Sequence, residues 1–291
     1  MTGPAVPRSW LYVPGHRPER VAKALASGAD AVVIDLEDAV PADRKDTARD
    51  TVTRLDHTGR PGLWVRVNDP RTPWGQADLA AAAQWRVDGI RLPRAEDEQM
   101  VRTVAARQPH PVQLLVETAL GLSRAARLAA ADPAVAGIGL GEADLAADLC
   151  LASPDGLDWA RGQIVVAARA AGLPSPVQSV WTDVADLDGL RRSSRVGRAA
   201  GFHGRSIVHP RQIDVVHEVY SATAEEVRTA RAVLRTAEEA RARGESAVLD
   251  AEGRFIDPAV VEGARMILLR AGPLPDPAPT RRTIAESGDA S

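Results

Sequence analysis

The chain has 291 residues, 45% of them apolar, which is enough for one large barrel or two domains with a sizeable core. Lys and Arg number 36 against 39 Asp and Glu, so a formal charge of −3 gives no electrostatic basis for binding nucleic acid or an anionic membrane, and neither partner is expected. A single cysteine, Cys150, excludes an intrachain disulfide and a cysteine-ligated zinc, and with no export-type leader and no apolar run of about 18 residues the expected location is cytoplasmic.

Short apolar runs alternate with amphipathic stretches, the pattern of βα units around a parallel sheet. The first run, Ser9 to Val13, is followed by Pro14-Gly15 and a helix opened by Pro18, with Val21 and Leu25 on one face and Gly28 as its stop. Ala31 to Leu36 is nearly unbroken in apolar character, as a strand covered on both faces requires, and it delivers Glu37 and Asp38. Leu63 to Val67 carries Arg66 and ends at Asn68, while Gly89 to Leu92 ends at Pro93-Arg94. Leu114 to Val116 leads into Glu117, and Val135 to Leu140 leads through Gly141 to Asp144. Val177 to Val180 and Ser206 to Val208 end at Trp181-Thr182-Asp183 and His209-Pro210. Eight units in about 220 residues fit an α/β (β/α)₈ TIM barrel better than a doubly wound sheet of five or six strands, so the catalytic domain is expected over 1–220. Beyond it, Ala224 to Arg243 reads as a long helix stopped by Gly244, Ala247 to Ile256 as a hairpin turning at Glu252-Gly253, and Asp257-Pro258 as the start of a helix through Leu269. This appendage covers 221–272. The last stretch, 273–291, has four prolines and few apolar residues and is expected to be disordered.

In such a barrel the carboxyl ends of the strands line one mouth, where Glu37, Arg66, Arg94, Glu117, Asp144 and Asp183 would converge. Glu117 and Asp144, on neighbouring strands, are what a hard divalent cation such as Mg²⁺ requires, since it takes one or two carboxylates and fills its octahedron with water and substrate. Competing structural roles exist for each group. Asp144 and Glu117 could serve the helices that follow them, Asp183 could cap the helix toward Leu190, Glu37 and Asp38 could pair with Arg44 or Arg66 merely to hold the mouth, and His209 and His16 read as structural as readily as catalytic. Glycines 137, 139 and 141 lack dinucleotide-fingerprint spacing and read as a tight strand exit.

Five motifs in order, RSWLYVPGHRPERVAKALASGADAVVIDLEDAV, WVRVN, LLVETALGL, GLGEADLAADL and GFHGRSIVHPRQI, resemble the citrate lyase β-subunit-like branch of the HpcH/HpaI aldolase superfamily, from Arg8 to about Leu269. The resemblance implies a Mg²⁺-dependent TIM barrel, a homo-oligomer (trimer or hexamer), that makes or breaks a carbon–carbon bond beside a CoA thioester. It implies Glu117 and Asp144 as metal ligands and Arg66, a planar two-pronged donor, on the substrate carboxylate or enolate oxygen. Glu37 and Asp38 would order that arginine and the metal's waters. The C-terminal segment would act as a helical lid over a neighbouring subunit and bring Asp257 to its mouth as the proton-moving group. Arg94 and Arg205 stand where relatives often have lysine and are expected on phosphates or CoA; with Arg66 and Glu117, Arg94 makes up the expected substrate contacts. Val208 replaces a common Ile, and Ala251-Glu252 a usual Asp-Gly.

Three functions follow as expectations. The first is cleavage of a 3-hydroxyacyl-CoA, of malyl-CoA or citramalyl-CoA type, into acetyl-CoA and an α-keto acid. The second is the β subunit of a citrate lyase complex acting on a carrier-bound thioester, and the third a non-catalytic acyl-CoA-binding barrel.

Overall fold

The computed structural model describes residues 7–56, 59 and 61–271, and the tail over 273–291 lies outside the described residues. Of the described residues, those from 7 to 221 belong to one compact unit and those from 222 to 271 to a second. The first unit runs β1 (Ser9–Pro14), α1 (Pro18–Leu25), β2 (Ala31–Asp35), α2 (Lys45–Thr53), β3 (Gly62–Arg66), α3 (Pro73–Ala82), β4 (Gly89–Leu92) and α4 (Glu98–Arg107). It continues through β5 (Val112–Val116), α5 (Ala119–Ser123), α6 (Ala125–Ala129), β6 (Val135–Leu140), α7 (Glu142–Asp148), α8 (Asp158–Ala170), β7 (Val177–Gln178), α9 (Leu187–Ala199), β8 (Gly204–Ile207) and α10 (Ile213–Tyr220).

The eight strands are parallel, in the order β6-β5-β4-β3-β2-β1-β8-β7, and make a (β/α)₈ TIM barrel whose ladder is missing only between β6 and β7 among the described residues. The strand boundaries differ instructively from those read off apolar runs. β7 begins at Val177 as expected but ends at Gln178, because only those two residues pair with β8 and no ladder joins β7 to β6 among the described residues. β8 starts at Gly204 and ends at Ile207, since an unpaired apolar run is not the criterion there: Arg205 pairs with Ser9, and Ser206 with Trp10, of β1.

Alternation along each strand divides the core in two. Outward positions such as Val32 and Ile34 join the large cluster beneath the helices. Inward positions build the barrel in layers. Trp10, Ala31 and Val33, with Trp64 and Val177 against them, fill the bottom, where the two indoles meet edge to face at 5.3 Å. Gly89 belongs to this layer because a Cβ there would occupy the Trp64 ring. Above it Arg91 crosses the barrel to donate to Gln113 Oε1, Tyr12 Oη and Ser206 Oγ. Asp35, Arg66 and Glu117 are the next inward residues, at the carboxyl ends.

The second unit contains α11 (Ala224–Ala242), β9 (Val248–Leu249), β10 (Phe255–Ile256) and α12 (Pro258–Ala271). Thr223 and Glu226 form a capping box at the start of α11, β9 and β10 pair antiparallel as the expected hairpin, and α11 packs on α12.

Candidate active site at the carboxyl ends of the strands

Register sets the centre of the site. Asp35 and Arg66 close adjacent strands and are ladder partners, so both side chains leave the same inner face. Arg66 donates from Nε and Nη2 to the two carboxylate oxygens of Asp35, each at 2.7 Å, a bidentate pair. Its Nη1 donates to Asp38 Oδ2 at 3.0 Å and lies 3.0 Å from Glu37 Oε2. The guanidinium also stacks 5.3 Å from the Tyr12 ring centroid. Burial alone would raise the Asp35 carboxyl, but the Arg66 charge and hydrogen bonds outweigh it and hold that carboxyl below the usual range. The sequence reading placed Glu37 and Asp38 beside this arginine and overlooked Asp35, which reads as the last residue of a buried strand. The two-pronged edge expected to face substrate is spent on Asp35, leaving only the remaining Nη hydrogens for a ligand.

Glu117 is 5% exposed, and its Oε2 accepts a 2.9 Å hydrogen bond from the Arg94 backbone N. Arg94 takes φ of 49° to present that N–H, a conformation costly for a residue with a Cβ. Across the mouth Gly141 makes room: a Cβ there would overlap the Glu117 side chain, 2.7 Å from Oε1. Thr118 Oγ1 caps α5 by accepting from the Gly121 backbone N, and Gly141 is the N-cap of α7, so neither Glu117 nor Asp144 acts as a side-chain cap. Asp144 sits exposed in the first turn of α7. Burial pushes the Glu117 carboxyl up to about 7 against the pull of the Arg94 hydrogen bond and the Arg66 charge, and Asp144 and Asp38 add repulsion. Burial likewise raises Glu37 to about 8 despite Arg66, and its Oε2 is close enough for an ion pair yet not aligned as a hydrogen bond.

This donor set fits a hard divalent cation. Two carboxylates, Glu117 after β5 and Asp144 in the first turn of α7, lie within each other's electrostatic reach, one of them buried with its charge disfavoured; no group of three or more His, Cys, Asp or Glu is gathered for a metal among the described residues, so water and substrate would supply the rest of the shell. A cation would relieve the penalty that burial places on Glu117.

Beside this cluster lies a cavity of 470 Å³ whose lining includes Glu37, Asp38, Lys45, Asn68, Trp74 and the exposed Arg94. Lys45 is the buried organiser of its wall. Its Nζ donates to the carbonyls of Leu36 and Glu37 and to Asn68 Oδ1, at 2.6 to 2.8 Å. Asn68 in turn donates from N and Nδ2 to Asp78, which also accepts from Arg49 Nε. The loop that carries Glu37 and Asp38 is therefore fixed from beneath.

The other residues singled out in the sequence lie elsewhere. Arg205 is 4% exposed and donates to Gln178, Ser193 and Ser194 between the sheet and α9, so it cannot meet a phosphate as expected. Asp186, not Asp183, caps α9; Asp183 accepts from the backbone N of Ala185 and Asp186 in the preceding turn. His209 caps the turn at Pro210, a structural role, and Nδ1 of His16 is buried without a partner among the described residues. Asp257, in the second unit, accepts from the Val260 backbone N and caps α12. A second polar group at the amino-terminal end of the barrel unites Ser9, Asp30 and His217, but one ring nitrogen, Nε2, faces both Ser9 Oγ at 2.8 Å and Asp30 Oδ1 at 3.5 Å. A nucleophilic triad uses both nitrogens, so this is a clasp between β1 and α10.

The HpcH/HpaI aldolase/citrate lyase family matches residues 8–210. A (3S)-malyl-CoA thioesterase of Cereibacter sphaeroides is 38% identical over 272 residues, covering 91% of this chain and 94% of its own. The citrate lyase subunit beta of Escherichia coli is 36% identical over 282 residues, covering 91% and 93%. Among solved structures, the CitE protein of Mycobacterium tuberculosis in complex with magnesium, acetoacetate and coenzyme A superposes with a TM-score of 0.78 at 35% identity, over 92% of this chain and 99% of that one.

Proposed function

Because this chain belongs to the HpcH/HpaI aldolase/citrate lyase family, we propose that it is a Mg²⁺-dependent carbon–carbon lyase that cleaves a 3-hydroxyacyl-CoA of malyl-CoA or citramalyl-CoA type into acetyl-CoA and an α-keto acid. The observation that carries the reading is buried Glu117, held by the Arg94 backbone and given room by Gly141, within electrostatic reach of both Arg66 and Asp144. The magnesium and coenzyme A in the CitE complex support it from outside the chain.

In this reading Glu117 and Asp144 hold the metal. Bound there, Mg²⁺ supplies a Lewis acid for an α-keto acid oxygen. Arg66, locked by Asp35 and braced by Glu37 and Asp38, offers its remaining Nη hydrogens to the substrate carboxylate without having to reorganise. Cleavage removes the proton from the 3-hydroxyl as the C2–C3 bond breaks and returns one to C2 of the acetyl thioester. Asp257, from the lid of a neighbouring subunit, is assigned that return. Arg94, exposed on the cavity wall, is assigned to the thioester's phosphates.

A panel of acyl-CoA esters with and without Mg²⁺ tests the assignment. Malyl-CoA or citramalyl-CoA should give glyoxylate or pyruvate together with acetyl-CoA, only with the metal. Turnover that needed a separate carrier protein would instead favour the citrate lyase subunit reading, and binding of CoA esters without turnover the non-catalytic one.

A further inference from the structure

The barrel's weak seam lies beside the proposed metal pair. Seven ladders join the eight strands, and none joins β6 to β7 among the described residues. The hydrogen bonds that cross this seam among those residues are both made by one side chain, Ser179, just beyond β7. Its Oγ donates to the Leu140 carbonyl at 2.6 Å and accepts from the Glu142 backbone N at 3.3 Å.

These two bonds bracket Gly141, the residue whose missing Cβ admits the Glu117 side chain. On its other side Gly141 is tied to β5 by its N–H to the Val116 carbonyl at 2.9 Å, next to Glu117 itself. Glu142 opens α7, and its side chain is held by Arg161 of α8 through Nε and Nη2, so the first turn carrying Asp144 is fixed by Ser179 on the backbone and Arg161 on the side chain. One hydroxyl thus sets the spacing between the β6 exit that cradles Glu117 and the helix start that presents Asp144.

We propose that Ser179 is a positioning residue for the divalent-cation site, holding the Leu140–Glu142 exit so that Glu117 and Asp144 face one cation. The inference rests on the metal pair of the preceding subsection. A role confined to closing the barrel would lower stability and leave the affinity of folded protein for metal unchanged; a positioning role changes that affinity, as outer partners of metal ligands do, by about 10- to 100-fold.

The test is Mn²⁺ binding by electron paramagnetic resonance or calorimetry, without substrate, on Ser179→Ala, Ser179→Thr and Glu117→Gln. Ser179→Thr keeps the hydroxyl and should bind like wild type, whereas Ser179→Ala should bind about tenfold more weakly with an unchanged circular dichroism spectrum. Ser179→Cys, near-isosteric with a weak donor, gives an intermediate affinity and serves if the alanine variant does not fold. Loss of binding in Glu117→Gln with wild-type binding in Ser179→Ala overturns the Ser179 role alone. Wild-type binding in Glu117→Gln overturns the metal pair and the Ser179 role with it.

Discussion

Arg66 shows how a single residue combines a legible and an illegible part. That an arginine ending the third strand faces the mouth follows from the apolar run before it; that its fork belongs to Asp35 follows from ladder register, which no single run contains. Arg66→Lys should therefore fail twice, losing the bidentate hold on Asp35 and the residual donors toward substrate, and steady-state kinetics should show kcat reduced by about 10²- to 10³-fold. Glu117 and Glu37 give a pH signature. Both carboxyls are raised from an ordinary value of 4.5, to about 7 and about 8, so the folded chain binds their protons more tightly than the unfolded one. Metal-free protein should lose stability as pH rises from about 4.5 to 8, and the gain in melting temperature on adding Mg²⁺ should be larger at pH 8 than at pH 5. Asp35, held low, works in the opposite sense, its contribution fading as pH falls below the ordinary carboxylate range. Equal metal-induced shifts at both pH values would remove Glu117 from the metal site. Ser179 and Lys45 gave no sequence signal because what they bind is mostly main chain, whose position only the fold defines.

Among elements, those whose residues alternate or run apolar were read closely. β4 and β6 have the bounds expected, and the hairpin of the second unit is where the Glu252-Gly253 turn put it. β7 is shorter than its apolar run because only Val177 and Gln178 find ladder partners, and β8 was displaced because an arginine interrupts the apolar signal while β1 still provides partners. The loop after β2 carries the site's acidic pair, and a buried polar relay from Arg49 through Asp78 and Asn68 to Lys45 supports it. Asp78 is fully buried in this relay. Asp78→Ala leaves Arg49 and Asn68 facing a void, and urea denaturation should show a loss of about 3–5 kcal/mol. Asp78→Asn, which keeps an acceptor for one partner, should cost less. A loss below about 1 kcal/mol for the alanine variant would mean that the relay does not support the loop.

For the molecule as a whole, the barrel carries the proposed metal pair Glu117 and Asp144 and the proposed substrate arginine Arg66, while the proposed proton donor is in the second unit. Asp257 doubles as the cap of α12, so the informative change is Asp257→Asn, since asparagine caps as well as aspartate but cannot donate a proton as a carboxyl does. Its melting temperature should match wild type while kcat falls by about 10²-fold. If the segment serves a neighbouring subunit, mixing Asp257→Asn with Glu117→Gln chains under reassembly should restore part of the activity that neither has alone. The barrel was legible from eight repeats of one pattern, whereas substrate choice was not, because the cavity wall is assembled from three loops, one of them set by the strained backbone of Arg94. Relatives of similar identity act as a thioesterase and as a lyase subunit, so bond choice is the decisive property. The most direct measurement is the product ratio from malyl-CoA with Mg²⁺ and with EDTA. Equal amounts of glyoxylate and acetyl-CoA, formed only with Mg²⁺, are predicted; free CoA without glyoxylate, or turnover indifferent to EDTA, would contradict a metal-dependent carbon–carbon lyase.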